Sequence, residues 1–222
     1  MIFGKIDYIN LLPFHTFLKK SNMQNALKKA CEYRKSYPSA INARFEKRRI
    51  DAAIISSIQS GKKGIRTLDM GIVAKKNVRS VVVEKNTQNA SDPHSATSNM
   101  LAKVLQIHGK VLIGDKALQA YLQEPDHYID LAQIWYEKYH LPFVFARLSI
   151  NRYFHFYKRI SDRFKKYNIK IPSYVINQYS QERGIKVQDI KQYLALISYD
   201  IGAREKRSLQ LFFKKSKQFT KN

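Results

Sequence analysis

Short apolar runs alternate with stretches whose apolar residues recur every three or four positions, over nearly the whole chain. Residues 2–9 read as a strand, and Pro13 suits the first turn of a helix covering 14–30. A shorter helix is expected over 39–48. "DAAIISSI" (51–58) is a compact apolar strand ending in a serine pair. Residues 68–85 hold two strand-like pieces around Lys75–Asn77, and the polar stretch 86–95 turns at Asp92-Pro93. A helix over 95–109 has hydroxyls placed to cap its start and Gly109 at its end. "KVLIGDKAL" is a short apolar strand running into Gly114-Asp115. Ile129, Ala132, Ile134, Trp135 and Tyr139 keep helical register within 128–140. "LPFVFARLSI" is a further strand, and everything after 151 reads as helical. No internal repeat or low-complexity segment interrupts the pattern.

Strands alternating with helices predict an α/β fold with largely parallel sheets. Ligands of such sheets sit beyond the carboxyl ends of the strands. That rule gathers Asn10, Ser56, Ser57, Gly114 and Asp115, each just past a short apolar strand. Thr97 and Ser98 stand at a helix N-terminus, where free N–H groups and the helix dipole favour an anion. The set is mostly neutral hydrogen-bonding chemistry, suited to a small molecule bearing carboxylates.

Each member also has a plainer reading. Asn10 can serve as a turn or cap residue, and Ser56-Ser57 can simply end a buried strand. Thr97 and Ser98 can cap a helix with or without a ligand. Asp115 suits a cap of the following helix better than a base, and Arg79 in "VRSVVV" is either a carboxylate partner or a solvated strand residue. The six histidines are scattered, and none is expected to be a catalyst. Phe14, Phe143, Phe145 and Trp135 are expected in the core, with one phenylalanine free to line a ring pocket.

Charge complicates this picture. Of 222 residues, 40 are Lys or Arg and 17 Asp or Glu, a formal net charge of +23. Such an excess fits nucleic-acid binding, but it is spread along the chain instead of forming a dense basic tail. The most suspicious segment is "RYFHFYKRISDRFKKYN", 152–168, where aromatics alternate with bases. On a helix, Tyr153, Phe156, Tyr157, Ile160, Phe164 and Tyr167 share one face while most of the bases point away. An amphipathic helix with a solvated basic face accounts for that. No specific nucleic-acid partner is therefore expected.

The remaining composition narrows the class. Apolar residues make up 44%, enough for a real core. No run approaches the roughly 20 apolar residues that span a bilayer, so no membrane association is expected. "MIFGKIDYIN" lacks a signal-peptide pattern. One cysteine, Cys31, leaves no disulfide framework and no cysteine metal site. These features predict a cytoplasmic protein with neither metal nor other cofactor, and leave monomer and homodimer both open.

"DYINLLPF", "DAAIISS", "VRSVVV", "SATSNMLAKVL", "LIGDKAL" and "DLAQIWYEKYHLPFVFA" occur in an order that resembles the menaquinone biosynthetic enzymes of the futalosine route. The resemblance extends to "ISYDIGAREKRSLQLFF" and is closest to the chorismate dehydratases. A sister family carries Ile-His-Glu where this chain has Ile113-Gly114-Asp115, and Thr-Thr-Ala where it has Thr97-Ser98-Asn99. Asp7 departs from the dehydratase pattern, in which serine is commoner, and leaves its own orientation an open question.

The resemblance implies the two-lobed fold of type 2 periplasmic solute-binding proteins, with crossover hinge strands near 78–84 and 142–149. Lobe 1 would comprise 1–81 plus 147–222, and lobe 2 residues 82–146. It also implies loss of water from chorismate, giving 3-[(1-carboxyvinyl)oxy]benzoate. The matched motifs hold no strong base, so the enolpyruvyl carboxylate of the substrate is expected to take the proton itself. Asn10 would be the catalytic residue, holding that carboxylate or the departing hydroxyl. Tyr8, Ser56, Ser57, Arg79, Ser80, Thr97, Ser98, Gly114 and Asp115 would bind substrate. A non-catalytic anion-binding module of the same fold is the competing expectation.

Overall fold

The computed structural model describes residues 1–21, 36–167 and 169–219. Most of the helix expected over 14–30, and Cys31, lie outside the described residues. The strands are β1 (Phe3–Gly4), β2 (Ala52–Ser56), β3 (Arg66–Ala74), β4 (Val81–Glu84), β5 (Lys110–Ile113), β6 (Tyr128–Asp130), β7 (Phe143–Ile150) and β8 (Ile197–Asp200). The helices are α1 (Leu12–Lys20), α2 (Pro38–Glu46), α3 (Ser57–Ser60), α4 (Ala96–Leu105) and α5 (Gly114–Gln123). They continue with α6 (Leu131–Tyr139), α7 (Phe154–Lys166), α8 (Ser173–Arg183), α9 (Val187–Ala195) and α10 (Ala203–Ser216).

Two sheets result, a five-stranded one in the order β1-β2-β7-β3-β8 and a three-stranded one in the order β5-β4-β6. Among the described strands only β1 and β2 pair in parallel, apart from a single parallel bridge from Ala90 to Lys110; the other strand pairs are antiparallel. The expectation of largely parallel sheets is therefore wrong. Alternation of elements fixes their order, but direction depends on the end to which each connection returns. The chain passes from the large sheet to the small one between β3 and β4, and returns between α6 and β7. β7 pairs with β3 from Phe143 onward, so a boundary at 146/147 falls inside a strand of the large sheet.

Local chemistry explains the other departures. Within 2–9, only Phe3 and Gly4 pair, with Ala52 and Ala53. Asp7 is drawn aside by Tyr179 and Arg183, and the chain bends into a 3-10 turn, Ile9–Leu11, closed by Leu11 N–H to Tyr8 O at 3.0 Å. Ser56 ends β2 and caps α3 by accepting from Gln59 N. α4 stops at Leu105, because Gln106 takes the left-handed conformation (φ 59°). Gly109 instead opens β5 at φ 133°, where a Cβ would lie 2.3 Å from Glu84 O. Asp130 caps α6 by accepting from Ala132 and Gln133, after its strand neighbours have paired with β4. β8 overturns the all-helical reading after 151: it is a four-residue edge strand, too short for its alternation to stand out between helices.

The core forms where these faces meet. Phe14 packs edge-on against Phe164, with Phe3 and Phe17 beside it, which buries the inner face of α7. Tyr153 and Tyr167, expected on that face, lie at the two ends of α7 and are exposed. Trp135 of α6 is fully buried against Phe143 and Phe212 and donates to Ser208 Oγ at 3.0 Å. No helix among the described residues is long and apolar enough to cross a membrane.

Candidate functional site

A cleft of about 80 Å³ opens between the two sheets. Ile54 of β2, Ile72 of β3, and Phe145 and Ala146 of β7 line it from the large sheet. Val81 of β4 and Ile113 of β5 face them from the small one. Tyr8, Asn10, Ser56, Ser80, Ser98 and Gly114 border the same space, and Ile6, Leu11, Pro38, His94 and Ser95 complete it. The core expectation for Phe145 thus holds together with a place at the pocket wall.

Asn10 sits in the 3-10 turn, its main-chain O accepting from Tyr199 Oη at 2.7 Å. Its side-chain Oδ1 is buried, and no donor among the described residues reaches it. An unpaired buried acceptor costs about 1–3 kcal/mol, which a bound donor would recover. Across from it, Ser80 Oγ shares a hydrogen bond of 2.8 Å with Tyr193 Oη. Burial pushes the Tyr193 hydroxyl well above the ordinary tyrosine range, opposed by Ser80 and the Asn10 amide, so it stays protonated. Tyr8 is pushed up to about 12, chiefly by burial and then by the negative charge of Asp92 and Asp115. It remains a neutral phenol.

The N-terminus of α4 opens on the same space. Ser95 caps it, accepting from Ser98 N at 3.1 Å and donating to Ser98 Oγ at 2.7 Å. Gly114 begins α5 with φ 71°, and a Cβ there would lie 2.7 Å from Tyr8 Cζ, so the glycine is what lets the tyrosine ring lie flat against the wall. At the mouth, the His94 ring stacks on Tyr37 with centroids 4.9 Å apart and meets Ser39 Oγ at 3.0 Å.

Four residues singled out from the sequence lie outside the lining. Ser57 is fully buried and donates to Val144 O at 2.6 Å. Thr97 Oγ1 accepts from Ile58 N at 3.1 Å, which ties α4 to α3. Arg79 takes a left-handed backbone (φ 59°) and its N–H donates to Asp130 Oδ2 at 2.6 Å. Asp115 accepts from Ile9 N at 3.0 Å and from Arg183 Nε at 2.9 Å. Burial raises its pKa, against the pull of those two donors. Asp7, whose orientation was open, accepts from Tyr179 Oη at 2.6 Å and pairs with Arg183 at 3.0 Å.

Sequence reasoning missed His94, Ser95, Tyr193, Tyr199 and Arg183. Only Ser95 left a signal, a hydroxyl one residue ahead of an apolar helix. The others reach the site through tertiary packing alone. Among the described residues no three His, Cys, Asp or Glu side chains gather as a metal site.

The model of a family described as menaquinone biosynthesis matches residues 1–110 and 106–218. The chain belongs to that family. Within such menaquinone-biosynthesis proteins it is 53% identical to a chorismate dehydratase of Campylobacter jejuni subsp. jejuni serotype O:23/36 (strain 81-176), over 98% of both chains. Its fold matches protein AF1704 of Archaeoglobus fulgidus (TM-score 0.68, 11% identity, 98% and 96% of the two chains). It also matches a ligand-binding component of an ABC-type import system from Staphylococcus aureus (TM-score 0.53, 13% identity, 99% and 91%). The α/β, two-lobed, binding-protein-like architecture expected from the sequence is thus the one this family member has.

Proposed function

We propose that the cleft eliminates water from chorismate to give 3-[(1-carboxyvinyl)oxy]benzoate. The observation that carries this reading is the lining itself. Around Asn10 stand Tyr8, Ser56, Ser80, Ser95 and Ser98, with no lysine, arginine or carboxylate among them. The one imidazole in the lining, His94, is stacked and hydrogen-bonded at the mouth. The 53% identity to a chorismate dehydratase supports the same substrate.

Chorismate is a dianion with one hydrogen-bond donor, its ring hydroxyl. Asn10 Oδ1 is a buried acceptor in need of one, so the two pair and the hydroxyl-bearing carbon lies beside residue 10. A carboxylate held by neutral hydroxyls and the α4 N-terminus keeps more of its basicity than one paired with a guanidinium. The enolpyruvyl carboxylate therefore takes the proton from the ether-bearing carbon. The C–H electron pair becomes the new ring double bond, and the C–O bond breaks toward hydroxide. The proton returns to that hydroxide, so the products are the aromatic ether and water. Asn10 orients the leaving hydroxyl, Ser80 backed by Tyr193 donates to it, and the apolar walls keep solvent out.

The lobes in this reading join through 75–80 and 140–142, and the enzyme acts in the cytoplasm as a monomer or homodimer. Incubating the purified protein with chorismate tests the reaction. An aromatic dicarboxylate lighter by one water, identified by mass and NMR, is expected. Chorismate that binds and is recovered unchanged would make the protein a binding module instead.

A further inference from the structure

We propose that Asp115 and Arg183 form a clasp that positions Asn10 for the elimination, an inference that rests on the dehydratase reading. Three residues of 3-10 turn cannot hold a catalytic amide by themselves, because such a turn has few internal hydrogen bonds. Besides Tyr199, which donates to Asn10 O, two distant elements fix this one. Asp115, in the first turn of α5, accepts the Ile9 N–H on Oδ1 at 3.0 Å. Its other oxygen accepts Arg183 Nε, from the last turn of α8, at 2.9 Å. The same guanidinium reaches Asp7 Oδ2 through Nη2 at 3.0 Å, and Tyr179 Oη donates to Asp7 Oδ1 at 2.6 Å.

Arg183 therefore grips the 7–11 segment twice, directly at Asp7 and through Asp115 at Ile9. The segment between these grips carries Tyr8, and the residue just beyond carries the amide. Asp115 also follows Gly114, whose missing side chain makes room for the Tyr8 ring. One ion pair, its carboxylate buried and its guanidinium partly exposed, thus sets the position of the turn and of the wall it faces. The chemistry of each partner fits this role. Asp115 is 8% exposed and does not line the cleft, and its two oxygens each accept a hydrogen bond that ties it to the turn or to α8. Burial makes its charge costly, and the Ile9 N–H and the Arg183 guanidinium offset that cost. Lys5 lies 4.0 Å from Asp7 and adds to the same charge balance.

Misplacing a reacting group by about 1 Å costs roughly a hundredfold in rate. In the full-length protein, Asp115→Ala is expected to lower kcat about a hundredfold with KM for chorismate within about threefold, and Asp115→Asn, which keeps an acceptor for Ile9, to recover at least tenfold of the loss. In an Asn10→Ala background the same Asp115→Ala change is expected to alter kcat by less than about threefold, because the group it positions is already gone. Full kcat in folded Asp115→Ala, or an undiminished loss in the Asn10→Ala background, would overturn the clasp. Should Asp115→Ala not fold, Arg183→Lys, which keeps the charge and loses the fork, carries the same comparison. Amide exchange at Ile9 gives a readout free of activity. It should quicken in either variant, and unchanged exchange overturns the clasp even if the wild-type protein proves inert toward chorismate, a result that would sink the dehydratase reading alone.

Discussion

His15 shows how a residue without a chemical task supports one that has one. It is buried in α1, and Nε2 donates to Ile6 O at 2.9 Å, bracing a cleft-lining residue just ahead of Tyr8 and Asn10. Burial, helped by Lys5, lowers its pKa from 6.5 to about 4, so the folded protein holds the ring neutral. Below pH 6.5 the unfolded chain takes up a proton that the native chain refuses. Its contribution is complete above about pH 6.5 and is lost as the pH falls toward 4, by about 3 kcal/mol in all at 1.36 kcal/mol per unit. Asp115 and Asp130, whose pKa values burial raises, act in the opposite sense, since acid relieves their native-state cost. Urea midpoints measured from pH 7 to 4 for wild type and His15→Gln separate the two effects. The variant keeps a donor for Ile6 O and is expected to lose less stability over this interval; parallel curves would mean that His15 titrates as freely folded as unfolded.

At the scale of elements, the decisive parts of the cleft are ends: the end of β2, the turn after β1, the start of β4 and the first turns of α4 and α5. Gly114 is the most exacting of them. Its φ of 71° and the Tyr8 ring 2.7 Å from a would-be Cβ both exclude a side chain. Gly114→Ala should cost about 1–3 kcal/mol of stability through the strained backbone and displace Tyr8. The measurable consequence is a raised KM for chorismate alongside a lowered melting temperature, and an unaltered KM would show that the Tyr8 ring does not meet the substrate. Such ends were legible in the sequence because apolar runs stop abruptly there: Asn10, Ser56, Gly114 and the hydroxyls before α4 stood out at once. What the sequence could not display was orientation. Ser56 and Ser57 are neighbours of like chemistry, yet one borders the cleft and the other donates to Val144 O. Thr97 and Ser98 divide the same way, with Thr97 turned toward Ile58 N. Arg183 and Tyr193 lie more than a hundred residues from their partners Asp7 and Ser80, and their neighbouring residues carry no trace of the contact. Strand direction was hidden for the same reason, since it is a property of the connection and not of the strand.

For the molecule as a whole, the outstanding fact is a net charge of +23 around a cleft whose lining holds no lysine or arginine. Any help that charge gives a dianionic substrate is therefore long-range: a positive potential raises the encounter rate and local concentration, while neutral donors make the final contacts. The range of that potential is set by salt, about 30 Å at 0.01 M and 3 Å at 1 M. Attraction of this kind acts before the chemical step and leaves the bound complex nearly untouched. Raising sodium chloride from about 0.02 to 0.5 M should thus lower kcat/KM for chorismate several-fold through KM, with kcat held within about twofold. No single Lys→Gln substitution should reproduce the effect, because no one cation meets the substrate. A kcat/KM indifferent to salt would mean that the surface charge plays no part in capture. A steep loss produced by one lysine would mean that a cation enters the cleft when the lobes close, and the argument from a neutral lining to a basic substrate carboxylate would fall with it.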